Sequence, residues 1–302
     1  MCPSFRVTRE EIHSVRGRAN TLRLALSGQL EGDITGPEVA QAMDLCVGCK
    51  ACRRECPTGV DMARMKIEAA YQRGTRQGFS LRDRLVASLP ALAQRVHRTP
   101  ALGSFLNKRN EWPWLARALE SLTGVAASRR LPVWAAASFR EQSRSRQWAS
   151  LASCDVVLWA DTFNSAYSPD ALLALGSLMT SAGYRVALSG AAAPNPLCCG
   201  RTALSVGDLD GARSKATAVL DALAPVLARE VPIVGIEPSC VLGFQDEWQT
   251  MGLGPRAVAL GRLARLFESW WMDEAAAGRL RPPAVGEGRT VFVHGHCHQK
   301  AL

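Results

Sequence analysis

The sequence lacks the features that direct a chain into or across a membrane. Its 302 residues contain no run of eighteen apolar residues, and the stretch up to Arg9 lacks the apolar segment of a signal peptide. These absences predict a cytoplasmic protein with at most a peripheral contact at the inner face of the membrane. Hydrophobic residues still make up 47% of the chain, which is enough for a packed interior and, at this length, for two domains.

Aromatic residues are also scarce, at 6% of the chain, and no nucleic-acid-binding motif is present. The formal charge of +9 is uneven. Residues 1–150 carry 24 Lys and Arg against 13 Asp and Glu, whereas residues 151–302 carry 12 against 14. A basic half can face an acidic redox partner, an anionic membrane or nucleic acid, or can be an ordinary solvated helical surface. Without a supporting motif, we expect no nucleic-acid partner.

What the chain does have is ten cysteines, without any mark of secretion. In a reducing compartment, clustered thiols bind metal or do redox work more often than they form disulfides. The stretch CVGCKACRRECP, residues 46–57, has the spacing C-x2-C-x2-C-x3-C-P of bacterial ferredoxins. A zinc site would more often place its second cysteine pair well downstream. The spacing therefore predicts that Cys46, Cys49 and Cys52 hold a [4Fe–4S] cluster.

The fourth ligand of this cluster is a separate question. In two-cluster proteins the fourth cysteine of such a run ligates the other cluster, so Cys56 is expected to serve a second one. The first cluster then needs another cysteine followed by proline, and Cys2–Pro3 is such a pair. Two alternatives stay open: Cys56 is idle, or it replaces Cys2. The preferred interpretation also implies that three more cysteines would precede Met1, and hence that the chain is truncated at its start.

The pattern of the sequence changes twice along the chain. Residues 1–78 hold the cysteine run between helix-like segments, and residues 79–150 are Arg- and Leu-rich and broken by prolines, which predicts a connector of short helices. From residue 151 onward, short β-rich runs alternate with helical ones, which predicts a parallel sheet with helices on its faces. The predicted class is α+β and multi-domain: an all-α ferredoxin-like domain (1–78), a helical connector (79–150) and an α/β cysteine-rich domain (151–302).

Individual elements follow from periodicity, breakers and caps. Helices are predicted at 14–30, 37–43, 59–73 (with Gly74 as its stop), 169–181, 208–229 and 255–277. Strands are predicted at 155–159, 184–188, 231–236 and 290–294.

A second set of cysteines lies in the sheet-forming part. Cys198 and Cys199 stand side by side before Gly200, and Cys240 closely follows the strand predicted at 231–236. Since ligands of parallel sheets sit at the carboxyl ends of strands, this placement favours a site. Three thiolates are fewer than the usual four for a cluster, so metal binding and a buried, redox-inert set both stay open. Cys154 precedes its strand and is expected to be a small core residue.

The segment HGHCHQK, residues 294–300, is also rich in ligand-type side chains. His296, Cys297 and His298 can bind metal or act as acid–base groups near neutral pH.

Two stretches carry a resemblance to known proteins. MCPSFRVTREEIHSVRGRANTLR (1–23) and CVGCKACRRECPTGVDMARMK (46–66) resemble the iron–sulfur region of FAD-linked oxidoreductases that act on D-2-hydroxy acids such as D-lactate or D-2-hydroxyglutarate. The chain is similar too to the iron–sulfur subunits of glycolate oxidase and anaerobic glycerol-3-phosphate dehydrogenase. The triplet CCG (198–200) resembles the cysteine-rich domain of heterodisulfide reductase B subunits, whose full set is a lone cysteine, then CCG, then C-x2-C.

This chain departs from that set twice, because DTF (161–163) replaces the lone cysteine and Gly243 replaces the last one. The resemblance implies metal binding by Cys198, Cys199 and Cys240. It further implies that Cys297 begins a second, incomplete CCG unit.

The same resemblance implies an electron-transfer module rather than a complete enzyme. It would hold one [4Fe–4S] cluster, or two, and would relay electrons from a flavin to a downstream acceptor, either a quinone or a redox protein. These residues include no flavin domain, so FAD would belong to a missing domain or to a flavoprotein partner. Arg16, Arg18, Arg53 and Arg54 would stabilise the anionic cluster, or are ordinary surface residues. The alternative function is a zinc-stabilised basic binding module without redox activity.

Overall fold

The computed structural model describes residues 2–190, 193, 195–280, 288 and 290–302. They form α-helices, 3-10 helices and short β-strands. The helices of the first half are α1 (Pro3–Thr8), α2 (Val15–Leu26), α3 (Pro37–Asp44), α4 (Ala51–Glu55), α5 (Met62–Gln77), α6 (Leu81–Ala87), α7 (Leu89–Arg98), α8 (Pro100–Asn107), α9 (Pro113–Thr123) and α10 (Phe139–Gln142). The second half contains β1 (Val156–Leu158), α11 (Thr162–Tyr167), α12 (Pro169–Ser181), β2 (Val186–Leu188), α13 (Arg201–Ser205), α14 (Leu209–Ala222), α15 (Ala224–Ala228), β3 (Ile233–Gly235), α16 (Pro238–Gln245), α17 (Pro255–Leu263), β4 (Ala264–Leu266), α18 (Phe267–Ala276) and α19 (Cys297–Ala301). The 3-10 helices are Glu11–His13, Lys108–Asn110 and Glu247–Thr250.

The chain divides into two compact units. The N-terminal unit comprises Met1–Ala87, Thr202–Gly211 and Thr290–Leu302, and the sheet unit comprises Ser88–Arg201 and Ala212–Arg289. The expected mixture of helices with a small parallel sheet is confirmed. The division into domains at 1–78, 79–150 and 151–302 stays a prediction. None of the helices in the described ranges combines the length and the apolarity needed to cross a bilayer.

The N-terminal unit is built on three helices, α2, α3 and α5. Their buried faces share one apolar cluster that includes Leu22, Val39 and Met62, and Cys46 and Cys52 pack against its edge. Two caps fix the helix starts: the Ser14 hydroxyl accepts from the Gly17 N–H, and the Asp61 carboxylate accepts from the first N–H groups of α5. These apolar side chains therefore form a low-polarity wall beside Cys46 and Cys52, two of the predicted ligands of the iron–sulfur cluster.

The three helices predicted in this unit are confirmed, but α2 ends at Leu26 rather than at residue 30, and α5 begins at Met62 rather than at residue 59. The expected stop at Gly74 is wrong, because α5 runs on to Gln77 and Gly78 follows it with φ 83°. The glycine at 74 serves packing instead, since a Cβ there would lie 2.3 Å from the ring of Phe79.

The sheet unit contains a four-stranded parallel sheet in the order β2-β1-β3-β4. Val157 at its centre pairs with Ala187 on one side and Ile233 on the other. The chain leaves β1 toward β2 and leaves β3 toward β4, so the connections diverge at the carboxyl ends of β1 and β3. That divergence is the place where open parallel sheets bind ligands.

Three of the four predicted strands are confirmed, and the fourth is wrong. Residues 290–296 form no strand, and Phe292 is 95% exposed. An apolar alternation forms a strand only where a neighbour takes its backbone hydrogen bonds, and the partner of β3 is instead Ala264–Leu266. That three-residue strand lies inside the helix predicted at 255–277, and it is too short to disturb a helical period. The helix at 169–181 is confirmed, and the one at 208–229 is divided at Leu223, just before Pro225.

The core of the sheet unit lies between the sheet and α12. Val156 and Leu158 of β1 and Val234 of β3 pack with Leu172 and Met179 of the helix, and all five are fully buried. This core holds β1 and β3 in place and so positions the residues that follow them.

Replacing Leu172 by alanine is expected to lower the free energy of unfolding by about 2–5 kcal/mol, because it removes buried methyl groups and leaves a cavity. Leu178→Ala, on the same helix at a position 41% exposed, should change it by less than about 0.5 kcal/mol. Urea denaturation followed by circular dichroism measures both. Equal effects of the two substitutions would contradict this packing.

Candidate metal centre

Four of the predicted ligands line one cavity of about 360 Å³ in the N-terminal unit. Cys2 precedes α1, Cys46 and Cys49 lie in the loop between α3 and α4, and Cys52 lies in α4. The structure therefore brings Cys2 close to cysteines that it precedes by more than forty residues of sequence. Cys56 lies outside the lining of this cavity.

The loop between α3 and α4 follows a path that bends at alternate residues. Gly48 has φ 63°, and Lys50 has φ 60° and ψ 6°, both in the left-handed region. Lys50 is almost fully buried there, at 1% exposure. Such alternation turns successive backbone N–H groups toward one side, a conformation that binds anions, and the N–H of Ala51 donates to the Cys49 sulfur.

Arg18 is the most enclosed cation of this centre. Its side chain is 0% exposed, and its guanidinium donates to the Cys2 sulfur at 3.1 Å, the Ser4 hydroxyl at 2.8 Å and the Ala42 carbonyl at 2.7 Å. Burial raises the pKa of the Cys2 thiol, but hydrogen bonds from Ser4 and Arg18 outweigh it and lower the pKa below the usual value. Cys2 is therefore prepared to be a thiolate, the form that binds metal.

Lys66 on α5 holds the other side of the loop. Its ammonium group donates to the Cys46 carbonyl at 2.6 Å and to the Asp44 carbonyl at 3.4 Å. Burial lowers the pKa of Lys66, which the negative charge of Cys46 partly counters. The lysine therefore fixes the loop backbone and places a cation beside a predicted ligand.

The thiols of the cavity disfavour one another's ionisation. Burial raises the pKa of Cys49, and the charges of Cys2, Cys297 and Cys46 raise it further. Several thiolates in one cavity repel, so they need cations between them, and the iron ions of a cluster supply such charge.

In the described ranges, no group of three His, Cys, Asp or Glu side chains lies close enough together to hold a single metal ion. The four thiols that line the cavity can each face one corner of a [4Fe–4S] cube. The donor set, four sulfurs with nearby cations and N–H groups, is also the set that such clusters take.

Cys56 has surroundings of its own. It follows α4, and its sulfur lies 3.1 Å from the Thr58 hydroxyl. Hydrogen bonds from Thr58 and from the backbone N–H groups of Val60, Thr58 and Gly59 lower the pKa of the Cys56 thiol. Its thiolate form is thus favoured more than in an ordinary thiol, and it lies outside the cavity of the other four cysteines.

The C-terminal helix α19 packs against α4 within the N-terminal unit. His298 is buried, and its Nε2 lies 3.2 Å from the Gly48 carbonyl oxygen, while His296 caps the helix. Cys297 is exposed but close enough to influence the pKa of Cys49. These residues, expected to begin a second CCG unit, thus lie beside the loop of the first cysteine set.

The CCG cysteines form a compact set in the sheet unit. The Cys199 thiol donates to the Cys240 sulfur at 3.0 Å, and the Gly200 N–H donates to the Cys198 sulfur at 3.4 Å. Cys240 lies in α16, directly after β3, and Asp161 lies directly after β1 with 0% exposure. The set therefore sits where the sheet connections diverge.

The thiols of this set are protonated when no metal is bound. Donation to Cys199, together with burial, raises the pKa of Cys198 well above the usual value. Cys199 and Cys240 each accept a hydrogen bond that favours the thiolate, yet the pKa of both thiols is raised. For Cys199, the causes that raise the pKa are first its donation to Cys240 and then burial. For Cys240, burial is the largest cause that raises the pKa. Burial also raises the pKa of Asp161. Metal binding here would have to release protons.

The four arginines named from the sequence have different roles. Arg18 contacts a cysteine sulfur, whereas Arg16 is exposed and pairs with Glu11 at 2.7 Å. Arg54 donates to the Lys300 carbonyl oxygen. Cys154 is fully buried before β1, in agreement with its expected core role.

The sequence reasoning missed Lys50 and Lys66. For Lys66 a signal existed, because positions 62, 66 and 69 share one face of the helix that follows the cysteine run, and Met62 and Ala69 on that face are apolar. A lysine between two apolar positions indicates a buried partner. For Lys50, no pattern distinguishes a buried lysine in the left-handed region from an exposed one.

Comparison with known proteins finds a family whose sequences resemble the start of this chain. Residues 1–60 match the family described as 4Fe-4S dicluster domain. The chain carries an iron–sulfur domain. All five cysteines of the first set lie within the matched residues.

Curated relatives extend the resemblance over the rest of the chain. D-2-hydroxyglutarate dehydrogenase of Escherichia coli (strain K12) is 25% identical over 344 residues, covering 98% of this chain and 32% of that protein. The enzyme of the same name from Pantoea ananatis (strain AJ13355) is 26% identical over 341 residues, covering 97% and 32%. The probable glycolate oxidase iron–sulfur subunit of Bacillus subtilis (strain 168) is 35% identical over 69 residues, covering 22% and 15%.

The resemblance to these oxidoreductases is therefore confirmed. The chain spans about one third of the length of the dehydrogenases that it matches. No solved structure matches it.

The pKa directions predict how the thiols of iron-free protein react. The pKa of Cys56 is lowered, so its thiolate fraction is larger than that of an ordinary thiol at any pH below the usual value, whereas Cys240 has a raised pKa and is buried. At neutral pH, iodoacetamide should alkylate Cys56 much faster than Cys240, and the rate at Cys56 should level off at a lower pH. Peptide mass spectrometry measures both rates, and equal rates would contradict these environments.

Proposed function

We propose that this chain is an electron-transfer module of a flavin-linked D-2-hydroxyacid oxidoreductase. Cys2, Cys46, Cys49 and Cys52 would hold a [4Fe–4S] cluster, which when bound supplies one-electron transfer. The observation that carries the proposal is the cavity that these four thiols line, including the distant Cys2. The match of residues 1–60 to a 4Fe-4S dicluster domain supports it.

The surrounding residues have roles that suit such a group. Arg18 donates to the Cys2 sulfur, and Lys66 fixes the loop through the Cys46 carbonyl. The apolar cluster of α2, α3 and α5 excludes water from one wall. Low polarity and a few donors to sulfur are the features by which a protein sets the potential of a cluster.

A second cluster is the proposed role of Cys56. Its pKa is lowered by N–H groups, and it lies apart from the cavity. In ferredoxin-type runs the fourth cysteine serves the other cluster, and the matched family is a dicluster domain.

The electron donor would be a flavoprotein domain or subunit, and the acceptor a quinone or a redox protein. The names of the relatives support a hydroxyacid dehydrogenase as the setting, and the chain spans about a third of their length. FAD would therefore lie in another domain or in a partner subunit.

The CCG cysteines are proposed as a further metal site. The Cys199 and Cys240 sulfurs lie 3.0 Å apart and Cys198 is hydrogen-bonded to Cys199, close to the carboxyl edge of a parallel sheet, where such folds bind ligands. Their raised pKa values mean that occupancy should increase with pH, since each bound thiolate releases a proton.

Replacing Cys49 by serine should remove the brown colour and most of the bound iron and acid-labile sulfide, because a hydroxyl is a poor cluster ligand. Cys154→Ala removes a buried cysteine outside the centre and should leave the iron content unchanged. Both are measured by iron and sulfide analysis of anaerobically purified protein. Iron content that survives Cys49→Ser, or zinc without iron in the unchanged protein, would refute the assignment.

The identity of the fourth ligand is tested by a matched pair of substitutions. Cys2→Ser should lower the yield of the cluster in the cavity severalfold, whereas Cys56→Ser should leave that cluster in place. Electron paramagnetic resonance of the dithionite-reduced proteins distinguishes them. Loss of the signal in Cys56→Ser with retention in Cys2→Ser would show that Cys56 is the fourth ligand.

A further inference from the structure

The Arg18 side chain, on α2, bonds to two other segments of the N-terminal unit. Its Nε binds the Ala42 carbonyl near the end of α3, and its two terminal nitrogens bind Ser4 of α1 and the Cys2 sulfur. The side chain is 0% exposed, so each of these bonds is made without competing water. Only a planar guanidinium supplies several donors in fixed directions from one side chain.

The charge of Arg18 has no carboxylate partner among the described residues. Its three acceptors are a thiol, a hydroxyl and a carbonyl, and the neighbouring charge that it influences is another cation, Lys66. A buried cation without a counter-charge is strongly destabilising. The anions available to it are the thiolates of the cavity, beginning with Cys2.

Cys2 depends on this contact for its position. It lies at the start of the six-residue helix α1, which is bound to the rest of the unit through few polar contacts, one of them from Ser4 to the His13 carbonyl oxygen. The guanidinium therefore joins Cys2 and Ser4 to the end of α3, just before the loop that carries Cys46. No such donor approaches Cys56, whose hydrogen bonds come from its own loop.

We propose that Arg18 is the positioning residue that selects Cys2, rather than Cys56, as the fourth ligand and raises the reduction potential of the cluster bound there. The proposal rests on the proposed function, since it requires a cluster in the cavity. Reduction adds one electron from a flavin-type or chemical donor, with no bond broken and no proton taken up. The added negative charge strengthens the attraction to Arg18 and the N–H to sulfur hydrogen bond, so the reduced form gains more than the oxidised form.

The test compares three substitutions in the full chain. Arg18→Gln removes the positive charge and the planar guanidinium with its several donors. Arg18→Lys keeps the charge but loses the guanidinium. Arg23→Gln is the control. Arg23 lies on the same helix, is exposed and donates to the Asn20 side chain. The midpoint potential is measured by dithionite titration followed by electron paramagnetic resonance, with iron and sulfide content determined on the same samples.

We expect Arg18→Gln to lower the equilibrium constant for reduction at least tenfold, a shift of about 59 mV for one electron. Arg18→Lys should lie between this value and the wild type, and Arg23→Gln should match the wild type. Iodoacetamide should alkylate Cys2 faster in cluster-loaded Arg18→Gln than in the loaded wild type, where the metal protects its sulfur.

An unchanged potential and unchanged protection of Cys2 in an iron-loaded Arg18→Gln protein would overturn the proposal. Where Arg18→Gln fails to bind iron, Arg18→Lys decides: a wild-type potential with full protection of Cys2 overturns it, and a lowered potential supports it. A wild-type protein that binds no cluster refutes the proposed function itself, which is a different result from an Arg18 variant that behaves like the wild type.

Discussion

The N-terminal unit depends on one electrostatic constraint: several cysteine sulfurs share a small, partly desolvated cavity. Thiolates so placed repel one another: burial is the main cause of the raised pKa of Cys49, and the charges of neighbouring cysteines raise it further. Two cations lie beside these sulfurs. Arg18 donates to the Cys2 sulfur, and Lys66 donates to the backbone carbonyls of the cysteine loop. A buried cation without an anion, and a group of thiolates without cations, would each destabilise the fold. Placing them together offsets both penalties.

The same constraint explains why the two cysteine sets differ. In the first set, donors from a guanidinium, a hydroxyl and backbone N–H groups lower the pKa of Cys2 and Cys56. In the CCG set, the thiols donate mainly to one another, and burial keeps them protonated. Cys2 and Cys56 of the first set are therefore more easily ionised than the CCG thiols, whereas the pKa of Cys49 is raised as theirs is.

Much of this could be predicted from the sequence, because cluster spacing is a local signal. The run from Cys46 to Cys56 and the Cys2–Pro3 pair predicted which thiols meet, and the caps and periodicity predicted α2, α3, α12 and three strands. The remaining features depend on contacts between distant segments. Gly74 lies inside a helix because the ring of Phe79 packs against it. Ala264–Leu266 forms a strand because it pairs with β3, whereas residues 290–294 do not form the predicted strand. The burial of Lys50 has no sequence signal at all, since it follows from a left-handed backbone that only the folded loop requires.

Native mass spectrometry of anaerobically purified protein tests the central claim most directly, because it weighs the intact chain with what it binds. The account predicts a species heavier than the bare chain by four iron and four sulfide, which disappears on exposure to air and returns on reconstitution. A protein that is found only as the bare chain after reconstitution, or with the mass of a single zinc ion, would contradict it.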